Sequence, residues 1–215
     1  MDFLLYLKIN SSIGHQIDQY WRLLSPERKA RIKRIGTDQR AAIIGSELLV
    51  RVLTCKFLNI RNSEIIFSKN SYGKPYIVGY PNFHFNISHS YTSIAVAVSS
   101  DPTGIDMEKI GHPNFKISQR FFLPQEQDYI LSDCETANKR FYEIWTRKEA
   151  YVKYLGKGLS VPLSAFNVLE PRLARHFKTY EIDQYIISIF ADKENPQYRL
   201  IELSEEEFLT DLSIL

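Results

Sequence analysis

The order of helical and strand-forming segments is the feature that most constrains the fold of this chain. A helical stretch covers residues 37 to about 58, with apolar residues recurring at Ile44, Leu48, Val52 and Cys55. Three alternating or buried strand-forming segments come later, FHFNISHS, SIAVAVSS and TGIDMEKI. Because helices and strands arrive in blocks and not in strict β–α–β alternation, the pattern favours an α+β fold with mostly antiparallel sheets.

The second half of the chain follows the same order. A helix-favouring segment covers 135–155, and three predicted strands follow it, AFNVLE, HFKTYEID and YIISIFAD, the last two as a hairpin around 183–184. The composition changes near 99–103, which predicts two halves, 1–101 and 102–215. No repeat of individual residues links the halves. The N-terminal MDFLLYLKIN predicts a strand at a sheet edge, and SEEEFL near the C-terminus predicts a short acidic helix.

Bulk composition excludes several classes of protein. The net charge of +2 argues against a protein that binds nucleic acid over its whole surface. The two cysteines, Cys55 and Cys134, lie far apart without a C-x-x-C partner, so neither a zinc site nor a disulfide framework is predicted. No run of 18 apolar residues exists, so we expect no transmembrane helix and a cytoplasmic location.

Two carboxylates stand out in TGIDMEKI. Side chains two apart on a strand share a face, so Asp106 and Glu108 point the same way while Ile105 and Met107 face the other side. Carboxylates this close repel unless a cation or donor compensates them. One interpretation is a solvated edge strand, and the other is a site for Mg²⁺, which prefers carboxylates, waters and phosphates.

The helical stretch IWTRKEAYVKYLGKGL places Trp145, Glu149 and Lys153 on one face by their i, i+4, i+8 spacing. Glu149 and Lys153 form either a weak surface ion pair or part of a working surface. Lys148 falls inside the apolar stripe of the helix, where it either extends its amine to solvent or serves a structural or phosphate-adjacent role. Gly156 suits the residue after the helix end.

Cations and hydroxyls elsewhere fit a phosphorylated ligand. Each could be only a solvated or structural group, but together they match chemistry at a pyrophosphate, which is mostly positioning and charge neutralisation. No G-x-S-x-G, P-loop or Rossmann motif is present, which argues against a serine hydrolase and those nucleotide folds. The residues are Arg28 and Arg31 in ERKARIKR, Lys74 in YGKPY, and Ser88 and His89 in FNISHS.

The chain resembles the 4′-phosphopantetheinyl transferases of the larger, Sfp-type branch. The segments that carry the resemblance run through nearly the whole chain: SPERKARI, YGKPY, FHFNISHS, TGIDMEKI, RFFLPQE and WTRKEAYVKYLGKGLSVPLSAF. G-I-D-x-E together with W-x-x-K-E-A-x-x-K, about 40 residues apart, is highly specific. The resemblance implies two similar α+β halves related by a pseudo-twofold axis, with coenzyme A bound between them.

The resemblance also implies an activity: transfer of 4′-phosphopantetheine from coenzyme A to a serine of an apo acyl or peptidyl carrier protein, with release of adenosine 3′,5′-bisphosphate. By similarity, Asp106, Glu108 and Glu149 hold Mg²⁺ against the pyrophosphate. Asp106, Glu149 and Lys153 are the implied catalytic residues. Glu149 is the candidate base for the carrier serine, with Glu126 as an alternative.

Coenzyme A is implied to contact a further group of residues. The resemblance assigns basic contacts to the 3′-phosphate and the nucleotide, and polar contacts to the remaining phosphates or the adenine side. These residues are Arg28, Arg31, Arg40, Lys74, Ser88, His89, Asp106 and Lys153.

Two other functions use the same residues. A Mg²⁺-dependent nucleotide pyrophosphohydrolase would need no carrier protein, and a non-catalytic module that binds coenzyme A or a carrier would not need the metal ligands. A pseudo-dimer within one chain favours a monomer, without nucleic acid or membrane partners. The 121–123 segment is either a docking site for the carrier or part of the core. Its phenylalanines favour the core.

Overall fold

The computed structural model describes residues 2–9, 16–17, 19–33 and 37–215. Its nine strands in these ranges are β1 (Asp2–Lys8), β2 (Phe67–Lys69), β3 (Pro75–Ile77), β4 (His84–Ser90), β5 (Ser93–Ser99), β6 (Thr103–Lys109), β7 (Phe177–Ile182), β8 (Tyr185–Ala191) and β9 (Arg199–Leu203). The α-helices are α1 (Pro26–Ile32), α2 (Thr37–Leu58), α3 (Lys116–Phe121), α4 (Pro124–Leu131), α5 (Ala137–Leu155), α6 (Pro171–Ala174) and α7 (Glu205–Asp211).

Two of the helices begin where local chemistry favours a helix start. Ser25 precedes α1 and its Oγ accepts a hydrogen bond from the Arg28 N–H at 3.3 Å, while Pro26 takes the first helical position. Ser204 caps the acidic α7 in the same way through the Glu207 N–H. None of the helices in the described ranges is long and apolar enough to cross a membrane.

Two main sheets organise the chain. The first has the order β4-β5-β1-β9, and the second has the order β6-β8-β7 with both pairs antiparallel. β1 lies between β5 and β9, so the prediction of an edge strand at the N-terminus was wrong. β9, which the sequence analysis did not predict, pairs parallel with β1 and covers the edge that β1 would otherwise expose.

The two halves share one strand order. In the first half β5 lies between β4 and β1, and in the second half β8 lies between β7 and β6, which gives the orders β4-β5-β1 and β7-β8-β6. All four of these pairings are antiparallel. A mixed α+β fold with antiparallel sheets and packed helices is therefore confirmed.

Three apolar clusters hold the layers together. α2 packs on one face of the first sheet through residues such as Ile44, Leu48 and Val96. The opposite face of that sheet meets the second sheet in a central cluster, where Leu4 and Ala97 pack with side chains of β6 and β8. α4 and α5 cover the outer face of the second sheet. The order of layers is therefore helix, sheet, sheet, helix.

The predicted strand AFNVLE does not form. Residues 163–165 form a short 3₁₀ helix and the chain then turns. The Lys148 ammonium donates to the carbonyls of Leu163 and Phe166, each at 2.8 Å, and Glu126 accepts the N–H of Val168. Because buried side chains satisfy these backbone groups, the segment does not need a neighbouring strand.

Candidate active site

Helix α5 approaches strand β6 closely at Gly104, the first residue of G-I-D-x-E. A Cβ at this position would lie 2.1 Å from the carbonyl oxygen of Ala150 and 2.3 Å from the amide nitrogen of Tyr154. Only glycine therefore lets α5 pack directly against β6. This contact brings Asp106, two residues along the same face of β6, next to the polar side chains of α5.

An ion pair occupies the junction of β4, β6 and α5. The Lys153 ammonium lies 2.7 Å from Asp106 Oδ1, and it also donates to Ser88 Oγ at 3.1 Å. Ser88 in turn donates to the same Asp106 oxygen at 2.9 Å. Asp106 and Ser88 are buried whereas Lys153 is partly exposed, so the pair lies at the edge of solvent.

Side chains of β4 reach across to β6 at every second residue. Asn86 Oδ1 accepts the Ile105 N–H at 2.9 Å, Ser88 binds Asp106, and Ser90 donates to Glu108 Oε2 at 3.0 Å. β4 and β6 are edge strands of different sheets, so these bonds join the two halves where the carboxylates lie.

Glu108 and Glu149 lie close enough to Asp106 to repel it. Burial raises the pKa of Glu108 to about 7, and the Asp106 and Glu149 charges add to the rise. Burial, followed by the Asp106 charge, also raises the pKa of Glu149, while Lys153 opposes the rise. Three carboxylates with one lysine form a site that holds excess negative charge and favours a cation.

The donor set can be compared with the needs of a hard cation. In the described ranges, no three His, Cys, Asp or Glu side chains are arranged as they stand to hold a metal ion. Asp106 Oδ2, however, is buried and receives no hydrogen bond from any described residue. A buried carboxylate oxygen without a donor beside two carboxylates of raised pKa fits an oxygen-ligated cation such as Mg²⁺.

A cavity of about 610 Å³ opens in the N-terminal half, on the face of β4 that carries Phe85 and Ile87. Arg28, Lys69, Phe67 and Phe85 are among the residues that line it, together with Ile87 of β4. The site therefore combines cations suited to phosphate with aromatic rings suited to a base.

Glu47 fixes the direction of Arg28 in that cavity. Its buried carboxylate accepts from Arg28 Nε at 3.3 Å, from Arg51 at 3.2 Å, and from the backbone and hydroxyl of Ser25. Two guanidinium groups therefore share one carboxylate, and Arg28 and Glu47 both line the cavity. Glu47 was not predicted from the sequence, although its i, i+4 spacing to Arg51 was a usable signal.

The other residues predicted to bind coenzyme A lie in different parts of the structure. Arg40 lies over the Trp21 ring, 5.5 Å from its centroid. Arg31 belongs to α1, but its side chain lies outside the described part of the chain. His89 follows Ile87 at strand alternation, on the cavity side of β4, opposite to Ser88. The Lys74 ammonium donates to the carbonyls of Thr103 at 3.0 Å and Tyr154 at 3.1 Å.

Lys148 and Glu126 form a separate, fully buried pair. Their Nζ and Oε2 atoms are 2.8 Å apart and neither side chain is exposed. Lys148 uses its other donors on Leu163 and Phe166, and Glu126 accepts the N–H groups of Leu123 and Val168. Lys148 is therefore structural, as the sequence allowed, and Glu126 is enclosed by donors and not placed beside the Asp106 carboxylate.

The 121–123 segment places one of its three side chains in the core. Phe122 is 4% exposed and packs with Phe141 and Trp145, with ring centroids 5.4 Å and 6.2 Å apart. Phe121 and Leu123 are only half-buried. Core packing is therefore the role of Phe122.

Both halves of the chain match known protein families. Residues 102–203 match the model of the 4′-phosphopantetheinyl transferase superfamily, and 11–101 match that of the 4′-phosphopantetheinyl transferase N-terminal region. The chain is 32% identical over 208 residues to the 4′-phosphopantetheinyl transferase Sfp of Bacillus subtilis strain 168, covering 89% of this chain and 92% of that protein.

Two further relatives have lower coverage. The chain is 33% identical over 168 residues to the 4′-phosphopantetheinyl transferase gsp of Aneurinibacillus migulanus, covering 76% of this chain and 69% of that protein. It is 34% identical over 159 residues to the L-aminoadipate-semialdehyde dehydrogenase-phosphopantetheinyl transferase of Homo sapiens, covering 66% of this chain and 51% of that protein. The similarity is thus spread through both halves.

Proposed function

Since this chain belongs to the 4′-phosphopantetheinyl transferase superfamily, in its Sfp-type branch, we propose that the junction of β4, β6 and α5 carries out its transfer reaction. The reaction moves 4′-phosphopantetheine from coenzyme A to a serine of an apo acyl or peptidyl carrier protein. The observation that carries the assignment is the contact of Lys153 with Asp106 at 2.7 Å, inside a cluster of three carboxylates.

The reaction needs one nucleophile, which the partner supplies. The carrier serine oxygen bonds to the phosphorus that bears pantetheine, and the bond from that phosphorus to the bridging oxygen breaks. Adenosine 3′,5′-bisphosphate leaves, and the serine proton passes to Glu149, whose pKa is raised by burial and by the Asp106 charge. Glu149 is preferred to Glu126 because Glu126 is fully buried and bonded to Lys148.

Charge neutralisation belongs to the other residues of the cluster. Asp106, Glu108 and Glu149 would hold Mg²⁺, which neutralises charge on the pyrophosphate when bound. Lys153 would exchange its contact with Asp106 for a phosphate oxygen and stabilise the charge that develops on the leaving group. Ser88 orients both Asp106 and Lys153 and lies within reach of the same phosphates.

Coenzyme A would place its nucleotide end in the cavity of the N-terminal half. The cavity volume of about 610 Å³ suits a ligand of this kind. Arg28, held by Glu47, would meet the 3′-phosphate, and His89 lies on the cavity side of β4. Arg31 and Arg40 remain candidates for further nucleotide contacts, on the resemblance alone.

The matching strand orders support a pseudo-twofold relation between a half at 1–101 and a half at 102–215. β9 departs from this division, because it comes from the second half but pairs with β1. We also propose that the protein acts as a cytoplasmic monomer without nucleic acid or membrane partners. Analytical ultracentrifugation of the full chain tests the monomer.

The proposed function is tested by the intact mass of a carrier protein. Apo acyl and peptidyl carrier proteins are incubated with the enzyme, coenzyme A and Mg²⁺. We expect the addition of one phosphopantetheine to each carrier protein that the enzyme accepts as a substrate. A matched reaction with a carrier whose acceptor serine is replaced by alanine should show no gain.

The two alternative functions give different results in the same experiment. A nucleotide pyrophosphohydrolase would split coenzyme A without changing the carrier mass, and a non-catalytic module would leave both unchanged. No modification of any carrier across fatty-acid, polyketide and nonribosomal-peptide systems would contradict the transferase assignment.

A further inference from the structure

The β2–β3 turn of the N-terminal half meets the last turn of α5. Asn70 Nδ2 donates to the carbonyl of Gly156 at 2.9 Å, and Lys74 Nζ donates to the carbonyl of Tyr154 at 3.1 Å. Carbonyls at a helix C-terminus lack partners within the helix and need donors from elsewhere. Two side chains of the other half supply these donors.

The same lysine also binds the strand that carries Asp106. Lys74 Nζ donates to the carbonyl of Thr103, the first residue of β6, at 3.0 Å. Thr103 lies three residues before Asp106, and Tyr154 directly follows Lys153. One ammonium group therefore joins the two elements whose side chains form the Asp106–Lys153 pair.

The turn is shaped for this contact. Asn70 Oδ1 accepts the N–H groups of Tyr72 and Lys74, each at 2.9 Å, and Gly73 takes a φ of +91° that favours glycine. A Cβ at Gly156 would lie 3.0 Å from Lys74 Cδ and 3.1 Å from Asn70 Nδ2. The turn and the helix end are therefore in direct contact, with no room for a side chain between them.

Burial makes the contact with Lys74 costly to break. Removal from water lowers the pKa of Lys74 to about 8, because the ammonium has lost its hydration. His84 lies nearby, and its own pKa is lowered by burial and then by the Lys74 charge. The two carbonyl acceptors replace the lost water around the ammonium.

We propose that Lys74 and Asn70 form an interdomain clasp that positions α5 and β6, and that Lys74 acts on catalysis through this clasp and not as a phosphate ligand. The inference rests on the proposed function of the Asp106–Lys153 pair. Asn70 and Lys74 are positioning residues, because neither side chain touches Asp106 or Lys153.

The clasp is tested by comparing Lys74→Met, Lys74→Arg and Asn70→Asp in the full-length protein. Asn70→Asp keeps an oxygen that can accept the N–H groups of the turn, and it replaces the donor to Gly156 with a charged carboxylate oxygen that repels the Gly156 carbonyl. Lys116→Met on exposed α3 is the matched control for loss of a lysine. Each variant is analysed by hydrogen–deuterium exchange without ligand and by steady-state transfer kinetics.

We expect Lys74→Met and Asn70→Asp to accelerate exchange in 150–156, and Lys74→Met also in 103–106. A small displacement of α5 should lower kcat about 10- to 100-fold while the KM for coenzyme A changes little. Lys74→Arg, which still donates to two carbonyls, should restore most of the exchange protection and of kcat. Lys116→Met should change neither.

If Lys74 instead bound a phosphate of coenzyme A, its replacement would change the KM for coenzyme A and not kcat or the exchange rates. Unchanged exchange in 150–156 without ligand, or an increased KM for coenzyme A at constant kcat, would overturn the clasp. If Lys74→Met does not fold, Asn70→Asp decides by the same two measurements. Exchange needs no activity, so failure of the clasp is distinguishable from failure of the transferase assignment.

Discussion

The buried pair of Lys148 and Glu126 gives the most quantitative prediction. Both side chains are 0% exposed, and their closest nitrogen and oxygen are 2.8 Å apart. Lys148→Met removes one charge and leaves the Glu126 carboxylate buried without its counter-charge. Removing one partner of a buried pair typically costs about 3–5 kcal/mol of folding free energy.

That cost should be visible in thermal unfolding. For a protein of this size each kcal/mol lowers Tm by about 2–4 °C, so Lys148→Met should lower Tm by about 6–20 °C. Glu126→Gln should also destabilise, because it leaves the Lys148 ammonium uncompensated. The double variant Glu126→Gln/Lys148→Met has no charge left at this buried pair, and it should be more stable than the sum of the two single effects predicts.

The assay is urea unfolding of the wild type, both single variants and the double variant. We expect a coupling free energy of about 1–3 kcal/mol between the two positions. Lys116→Met, on an exposed surface, is the control and should lie within about 0.5 kcal/mol of wild type. If each single variant lost less than about 1 kcal/mol of unfolding free energy and the two losses were additive, the pair would behave like an exposed ion pair and the prediction would be refuted.

Three further predictions concern the site itself. Gly104→Ala should cost about 1–3 kcal/mol or more and lower kcat, because its Cβ would overlap the α5 backbone, whereas Gly111→Ala should have little effect; equal unfolding curves for both would contradict the packing. Because the pKa of Glu108 is raised to about 7, the contribution of Glu108 to folding stability without metal falls as pH rises toward 7. Mg²⁺ should bind the deprotonated carboxylate. Mg²⁺ should therefore raise Tm more at about pH 8 than at about pH 6. A Tm shift equal at both pH values would count against the metal assignment. Arg28→Ala should raise the KM for coenzyme A and reduce discrimination against 3′-dephospho-coenzyme A, and unchanged discrimination in competition kinetics would remove Arg28 from the phosphate site.

Strands and helices with a clear local pattern were predictable from the sequence. The alternation in FHFNISHS and TGIDMEKI corresponds to β4 and β6, and the helix-favouring segment at 135–155 corresponds to α5. Gly156 ends α5 in a left-handed conformation, with a φ of +61°. These features depend on neighbours in sequence, and so local patterns contain the information.

Features that depend on distant partners were not predictable. β9 forms because it pairs with β1 almost 200 residues earlier in the chain, and β1 is interior for the same reason. AFNVLE has strand-like composition, but Lys148 donates to its Phe166 carbonyl and Glu126 accepts its Val168 N–H. No local sequence pattern predicts either of these contacts.

The candidate site divides in a similar way. Residue types and spacing indicated Asp106, Glu149 and Lys153, since alternation and helical periodicity place them on definite faces. The roles of Asn86, Glu47 and Asn70 arise from contacts between elements far apart in sequence. Lys74 was interpreted as a phosphate ligand because its residue type allows that, whereas its binding to two carbonyls needs the fold.

The central claim is that the carboxylate cluster at β6 and α5 performs the transfer. Its most direct test is the intact mass of an apo carrier protein incubated with coenzyme A, Mg²⁺ and either wild type, Glu149→Gln or the exposed-site control Glu206→Gln. Calorimetry of coenzyme A binding to the same proteins separates chemistry from binding. We predict that wild type and Glu206→Gln add one phosphopantetheine, while Glu149→Gln binds coenzyme A and adds none. Wild-type turnover by Glu149→Gln would contradict both its metal role and its role as base.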